Sequence, residues 1–197
     1  MHGLINRSIQ SFLRDTYGTS LWTRTVLEAR LGFDNFEAML VYEDAITDAV
    51  LDAAARQLRR PREALLEDLG TYLVSHPHFE SLRRLLRFGG SAFVDFLHSL
   101  DELPGRARLA VPDLDIPRFQ LRPDGANRFR LDCHDGRPGY GHVMVGILRA
   151  MADDYGALVV LEHLGGQDGA EVIGIELLAA DYAQGRPFAL STAGRPA

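Results

Sequence analysis

The chain has 197 residues and a formal net charge of −6, from 27 acidic side chains against 21 basic ones. Every one of those basic residues is Arg, which excludes Schiff-base and phosphate-binding lysines, and an acidic chain is a poor match for nucleic acid, whose binding rests on clustered cations displacing counterions. The single cysteine, Cys133, excludes an internal disulfide and a multi-cysteine zinc site. The hydrophobic fraction of 46% supplies a real core for one domain. No run of about 18 apolar residues marks a membrane span. The opening MHGLINRSIQSF turns polar too early for a secretory signal, so a cytoplasmic location is expected.

The first hundred residues read as helices. Ile5, Ile9, Phe12 and Leu13 recur at helical spacing up to a stop at Gly18. Leu21, Trp22, Val26, Leu27 and Ala29 form a second stripe before Gly32, and residues 44–58 a third helix rich in Ala and Leu. Pro61 opens the next helix, running through EALLEDLGTYLVSH. Beyond His76-Pro77-His78 comes the short amphipathic FESLRRLLRF, halted by Gly89-Gly90, and then a helix over 91–103. The texture changes near Pro104. Prolines 112, 117 and 123 punctuate strands at Arg118–Leu121 and Arg128–Cys133, and DGRPGYG is a turn-rich loop. Residues 142–155 read as a helix with Asp153-Asp154 on its exposed side, and Ala157–His163 and Glu171–Leu178 as a hairpin around GGQDG.

The expected fold is therefore α+β, an N-terminal helical part packed on a C-terminal part with an antiparallel sheet. The domain spans 1–182, mostly helical over 1–103 and mixed over 104–182, with a tail at 183–197 that looks unstructured from Ala189.

Read for chemistry alone, the chain offers little. GxSxG, P-loop, GxGxxG and HExxH patterns are missing, so the expectation is a sensing or binding role and not an enzyme. His76 and His78 flank a proline, in a surface turn or as a pair of metal ligands on an extended segment. Cys133, His134 and Asp135 offer three ligand types, with Cys133 and Asp135 on one face of a strand and His134 on the other. Asp113 and Asp115 read as solvated turn residues.

Several segments, in order, resemble the heme nitric-oxide/oxygen-binding (H-NOX) family, which includes the gas-sensing domain of soluble guanylate cyclase. They are MHGLINRSIQSFLRDTYG, EALLEDLGTYLV, LRRLLRFGGSAFVDFLHSLDEL, ARLAVPDLDIPRFQL and GHVMVGILRAMADDYG, covering roughly residues 1–180 with the hairpin that follows. The resemblance implies a heme cofactor, a diatomic gas ligand and a separate signalling partner. It places an iron-ligating histidine directly after the LDxL stretch. Here LDEL is followed by Pro104, which has no donor atom. The family's YxSxR motif, which holds the propionates, reads Cys133, Asp135 and Arg137, retaining the arginine alone. Ile5 falls at a distal apolar position and Pro117 where a proline presses on the porphyrin. Val143 falls where some members carry an oxygen-binding tyrosine, and an apolar residue there resembles members that favour nitric oxide.

Four residues are candidate replacement ligands. His98 lies six positions before Pro104, about 120° round a helix; His142 and His2 approach from the other face; Cys133 could ligate as a thiolate. The expectation is a gas-sensor-like signal-transduction domain whose heme binding is weakened or lost. The alternative is a heme-independent binding or interaction module, its cavity kept for another apolar ligand or filled by Phe93, Phe96 and Leu100.

Overall fold

The computed structural model describes residues 1–188, so the segment from Ala189 lies outside the described residues. Helix α1 (Gly3–Tyr17) begins at His2, whose Nδ1 accepts the Leu4 N–H at 3.1 Å, and ends at Gly18 with φ 89°. Its apolar face buries Ile9, Phe12 and Leu13. There follow α2 (Thr19–Ala29), α3 (Asp44–Leu58) and α4 (Arg62–Ser75), then a 3₁₀ turn at Pro77–Phe79 and α5 (Glu80–Arg87).

The single helix expected over 91–103 is divided. It comprises α6 (Phe93–His98), a 3₁₀ turn at Leu100–Glu102, and the start of α7 (Leu103–Ala110). Pro104 occupies the first turn of α7, where a missing N–H costs nothing. It helps to start a helix, and helical chain continues to Ala110 before the strands begin.

Strands β1 (Arg118–Pro123) and β2 (Arg128–His134) precede α8 (Tyr140–Tyr155), and β3 (Leu158–Gln167) and β4 (Ala170–Ala179) follow it. They form one antiparallel sheet in the order β1-β2-β4-β3. The hairpin turn is tighter than GGQDG suggests. Gly165 and Gly166 belong to β3, beside a register shift after His163, and only Asp168 and Gly169 turn the chain. Both take left-handed φ values, 50° and 80°, as a two-residue type I′ connection requires.

Two apolar cores result. One gathers Phe12, Trp22, Leu65 and Leu69 from α1, α2 and α4, with Phe36 from the connection between α2 and α3. The other packs Phe96, Leu97, Leu100, Leu148 and Met151 against Leu131 and Ile173 of the sheet. Val143 on α8 touches both. Along the seam between them α4 and α8 meet backbone to backbone: a Cβ on Gly146 would lie 1.9 Å from the Glu67 carbonyl oxygen. Thr71 Oγ1 donates across the same seam to the Gly146 carbonyl at 3.3 Å.

Asp154 departs from its expected exposed position. It is 1% exposed, and its carboxylate meets Arg83 at 2.8 Å and Arg87 at 3.6 Å. A carboxylate can be buried when it is paired and hydrogen-bonded, and the arginine face of α5 supplies those partners. The chain after β4 lies over this end of α8, with the Arg186 N–H donating to the Asp154 carbonyl at 2.9 Å. Among the described residues, no helix is long and apolar enough to cross a membrane.

Candidate functional site

Of the residues singled out from the sequence, Ile5 and Val143 line the seam between the two cores, while others lie apart from it. On one side Pro104 is buried in the first turn of α7 with Leu103. Phe93, Phe96 and Leu100 belong to the same apolar cluster and are each at most 2% exposed. No side-chain donor stands at position 104. On the other side Ile5, Ile9, Leu66, Leu69 and Val143 line a hollow of about 60 Å³. Sites that enclose a drug-sized ligand usually offer roughly 300–1,000 Å³. Pro117 is buried beneath the loop between β2 and α8, where Gly136 approaches it so closely that a Cβ would lie 2.8 Å from its Cγ.

Arg137 leaves the loop toward α3, where it pairs with Asp44 at 3.0 Å and Asp48 at 3.7 Å. Arg62 of α4 reaches the same acidic face, meeting Asp48 at 2.5 Å and Asp52 at 2.9 Å. Between them opens a cleft of about 460 Å³, lined by both arginines, Asp48, Glu63, His142 and Glu171 with Leu66 and Pro138. Its wall is fixed by Glu171 of β4, whose carboxylate accepts the N–H groups of Gly139 at 3.0 Å and Gly141 at 2.7 Å. A carboxylate on these unpaired donors also meets the positive end of α8.

Cys133 and Asp135 do not share a face. Strand β2 ends at His134, and Asp135 turns into the left-handed region at φ 57°, solvent-exposed and 3.3 Å from Arg118. Cys133 is buried, and burial together with Glu171 and Asp132 pushes its thiol up to about 12. It is therefore a protonated core residue, not a thiolate.

The histidines scatter. His2 is the α1 cap already described; His98 is exposed at the end of α6, its ring edge-on to Phe129. His142 stacks on His163 with centroids 4.0 Å apart. Glu67 lies 3.4 Å from His142, and Glu171 lies 3.6 Å from His163. Burial and the neighbouring His142 lower the pKa of His163, against the opposing pull of Glu171 and Glu67. No local pattern announces this pair, whose members are brought together by α8 packing on the hairpin.

The sequence matches the Haem-NO-binding family over residues 2–163. Soluble guanylate cyclase gcy-31 of Caenorhabditis elegans is 24% identical over 165 residues, covering 83% of this chain and 24% of that protein. Soluble guanylate cyclase gcy-34 of the same organism is 29% identical over 162 residues, 77% of this chain and 23% of that one. This chain thus spans about a quarter of the length of these curated relatives. Among solved structures, the Fe(II) unliganded H-NOX protein from K. algicida superposes with a TM-score of 0.76 at 18% identity, covering 93% of this chain and 100% of that one. An H-NOX protein from S. oneidensis does so with a TM-score of 0.77 at 14% identity, over 91% and 97%. With the family match running over most of its length and the architecture shared with these structures, the chain belongs to the Haem-NO-binding, or H-NOX, family.

Proposed function

We propose that this chain is a signalling domain of the H-NOX fold in which heme binding is weakened or lost, without catalytic activity of its own and acting through a partner protein. A cytoplasmic location fits this reading. The observation that carries it is Pro104, buried in the first turn of α7 and unable to donate to a metal, where the resemblance places the family's iron ligand. Two further features support it. The apolar hollow is only about 60 Å³, and the larger space beside it, about 460 Å³, is walled by charged side chains. The surviving propionate-motif residue, Arg137, is already engaged by Asp44 and Asp48, and the Asp48, Glu63 and Glu171 carboxylates of the adjoining cleft would repel a second pair of carboxylates. The residues present do not fit a heme.

The alternative, a heme-independent interaction module, draws on the same cleft. Its mixed charge suits a polar partner group better than the apolar ligand considered from the sequence.

The test is a visible absorption spectrum after expression with heme supplied, followed by hemin titration of the purified protein. The expected result is a Soret band well below one equivalent, unchanged in Arg137→Ala. A stoichiometric Soret band that shifts with nitric oxide overturns the reading. Loss of that band in His98→Ala, His142→Ala, His2→Ala or Cys133→Ala would identify the ligand.

A further inference from the structure

His76-Pro77-His78 follows the C-terminal end of α4. We infer that His76 and His78, together with Asp15, form a binding site for a zinc-like first-row divalent cation. Asp15 comes from the last turns of α1, His76 follows the last residue of α4, and His78 lies in the 3₁₀ turn. Asp15 Oδ2 is 3.8 Å from His76 Nε2 and 3.8 Å from His78 Nδ1, and the three donor atoms all fall within 4.8 Å of one another. A tetrahedral zinc with bonds of about 2.0–2.2 Å separates its donors by roughly 3.3–3.5 Å. The two Asp15 separations therefore need to contract by only a few tenths of an ångström, and the His76–His78 pair, within 4.8 Å, by at most about 1.5 Å. His78, with its side chain 73% exposed, is free to make that movement.

The donor set is held from behind. The Tyr72 hydroxyl donates to Asp15 Oδ2 at 2.5 Å, and the Tyr72 ring stacks on His76 with centroids 4.6 Å apart. Outer partners of this kind orient metal ligands and tune their affinity. The two histidine rings meet edge to face at 4.7 Å, set by the single proline between them.

Two imidazoles and a carboxylate suit zinc, cobalt, nickel or copper, and not magnesium or calcium, which prefer all-oxygen sets. His76 Nδ1 accepts the His78 backbone N–H at 3.4 Å, a long contact, which puts the neutral ring's proton on Nε2. Ligation through Nε2 moves that proton to Nδ1 and gives up the contact. A bound ion would tie the end of α1 to the α4–α5 connection. This inference is independent of the heme reading.

The test is titration of the metal-free protein with Co²⁺, read by its visible absorption, then competition with Zn²⁺ and a thermal melt in each state. One equivalent of Co²⁺ should give a visible band that Zn²⁺ abolishes, and Zn²⁺ should raise the melting temperature. His78→Ala, which removes an exposed side chain, should lower the affinity at least about tenfold, as should Asp15→Asn, while His98→Ala leaves it unchanged. Tyr72→Phe should weaken binding while retaining one equivalent. The inference is overturned by the absence of both the cobalt band and the zinc-dependent shift in a folded wild type. Equal affinity in His78→Ala, or an equal loss in His98→Ala, also overturns it.

Discussion

Gly70 of α4 and Gly146 of α8 face each other so closely that a Cβ on Gly70 would sit 3.0 Å from the Gly146 Cα and 2.0 Å from the Val143 carbonyl oxygen. The contact brings α4 onto α8 beside the small hollow lined by Ile5 and Val143. In an exposed helix, Gly→Ala is stabilising by about 1 kcal/mol. Here the added methyl meets backbone that can give way only if the helices part, an overpacking cost of about 1–3 kcal/mol. Gly146→Ala is therefore expected to destabilise. Gly105→Ala, in α7 with nothing within 4 Å of its Cβ, should stabilise by up to about 1 kcal/mol. Urea unfolding of the two variants checks the pair, and a more stable Gly146→Ala would refute the tight seam.

Pro104→His places a nitrogen donor where the proposed function puts the lost iron ligand but leaves Phe96 and Leu100 filling their core. Making room for a macrocycle there means displacing well-packed side chains, at several kcal/mol. The variant is expected to bind no more hemin than wild type. A hemin titration giving a new stoichiometric Soret band in Pro104→His would show that the space opens readily.

Asp154→Ala leaves Arg83 and Arg87 without their carboxylate at positions where those side chains are only 11% and 12% exposed. Breaking a buried pair from one side usually costs about 3–5 kcal/mol. A loss of that order in chemical denaturation is expected, larger than for either exposed partner of Arg128–Glu176, where a surface pair contributes about 0–1 kcal/mol.

The stacked His142–His163 pair gives the fold an acid limb. The folded pKa of His163 lies below its ordinary 6.5. The unfolded chain therefore binds the proton more readily, and the contribution is fully present above about 6.5 and is lost as pH falls toward the folded pKa. Glu67 and Glu171 oppose this by favouring the charged ring. His163→Phe should flatten the fall in melting temperature between about pH 7 and about pH 5. An unaltered slope would assign the acid limb to the carboxylates.

How much of this was legible in the sequence depends on whether the information was local. The α1 apolar stripe, the α3 segment and the hairpin are read from spacing because their periodicity lies within a few turns or residues. At Pro104 the sequence leaves two readings open, because proline both interrupts helices and suits their first turn, and only the preceding 3₁₀ turn decides between them. Arg137 stands out in the sequence as the arginine of the motif, but its partners Asp44 and Asp48 lie on another helix about ninety residues earlier. Asp15 was invisible as a partner of His76 and His78 for the same reason, and Asp154 looked exposed because nothing in α8 announces the arginines of α5.

The ion pairs that brace this fold also bear on its behaviour in alkali. Their side-chain cations are all guanidiniums, and Arg62 is held still further above its ordinary pKa by Asp48 and Asp52. A lysine network would discharge near pH 10, whereas these pairs keep their charge beyond it. The phenols set the alkaline limit instead. Burial and Asp115 push Tyr140 up to about 12, so its stabilising share is intact below the unfolded value of about 10 and is lost as pH climbs toward the folded one. Alkaline unfolding should therefore coincide with the appearance of phenolate absorbance, with every arginine bridge still charged.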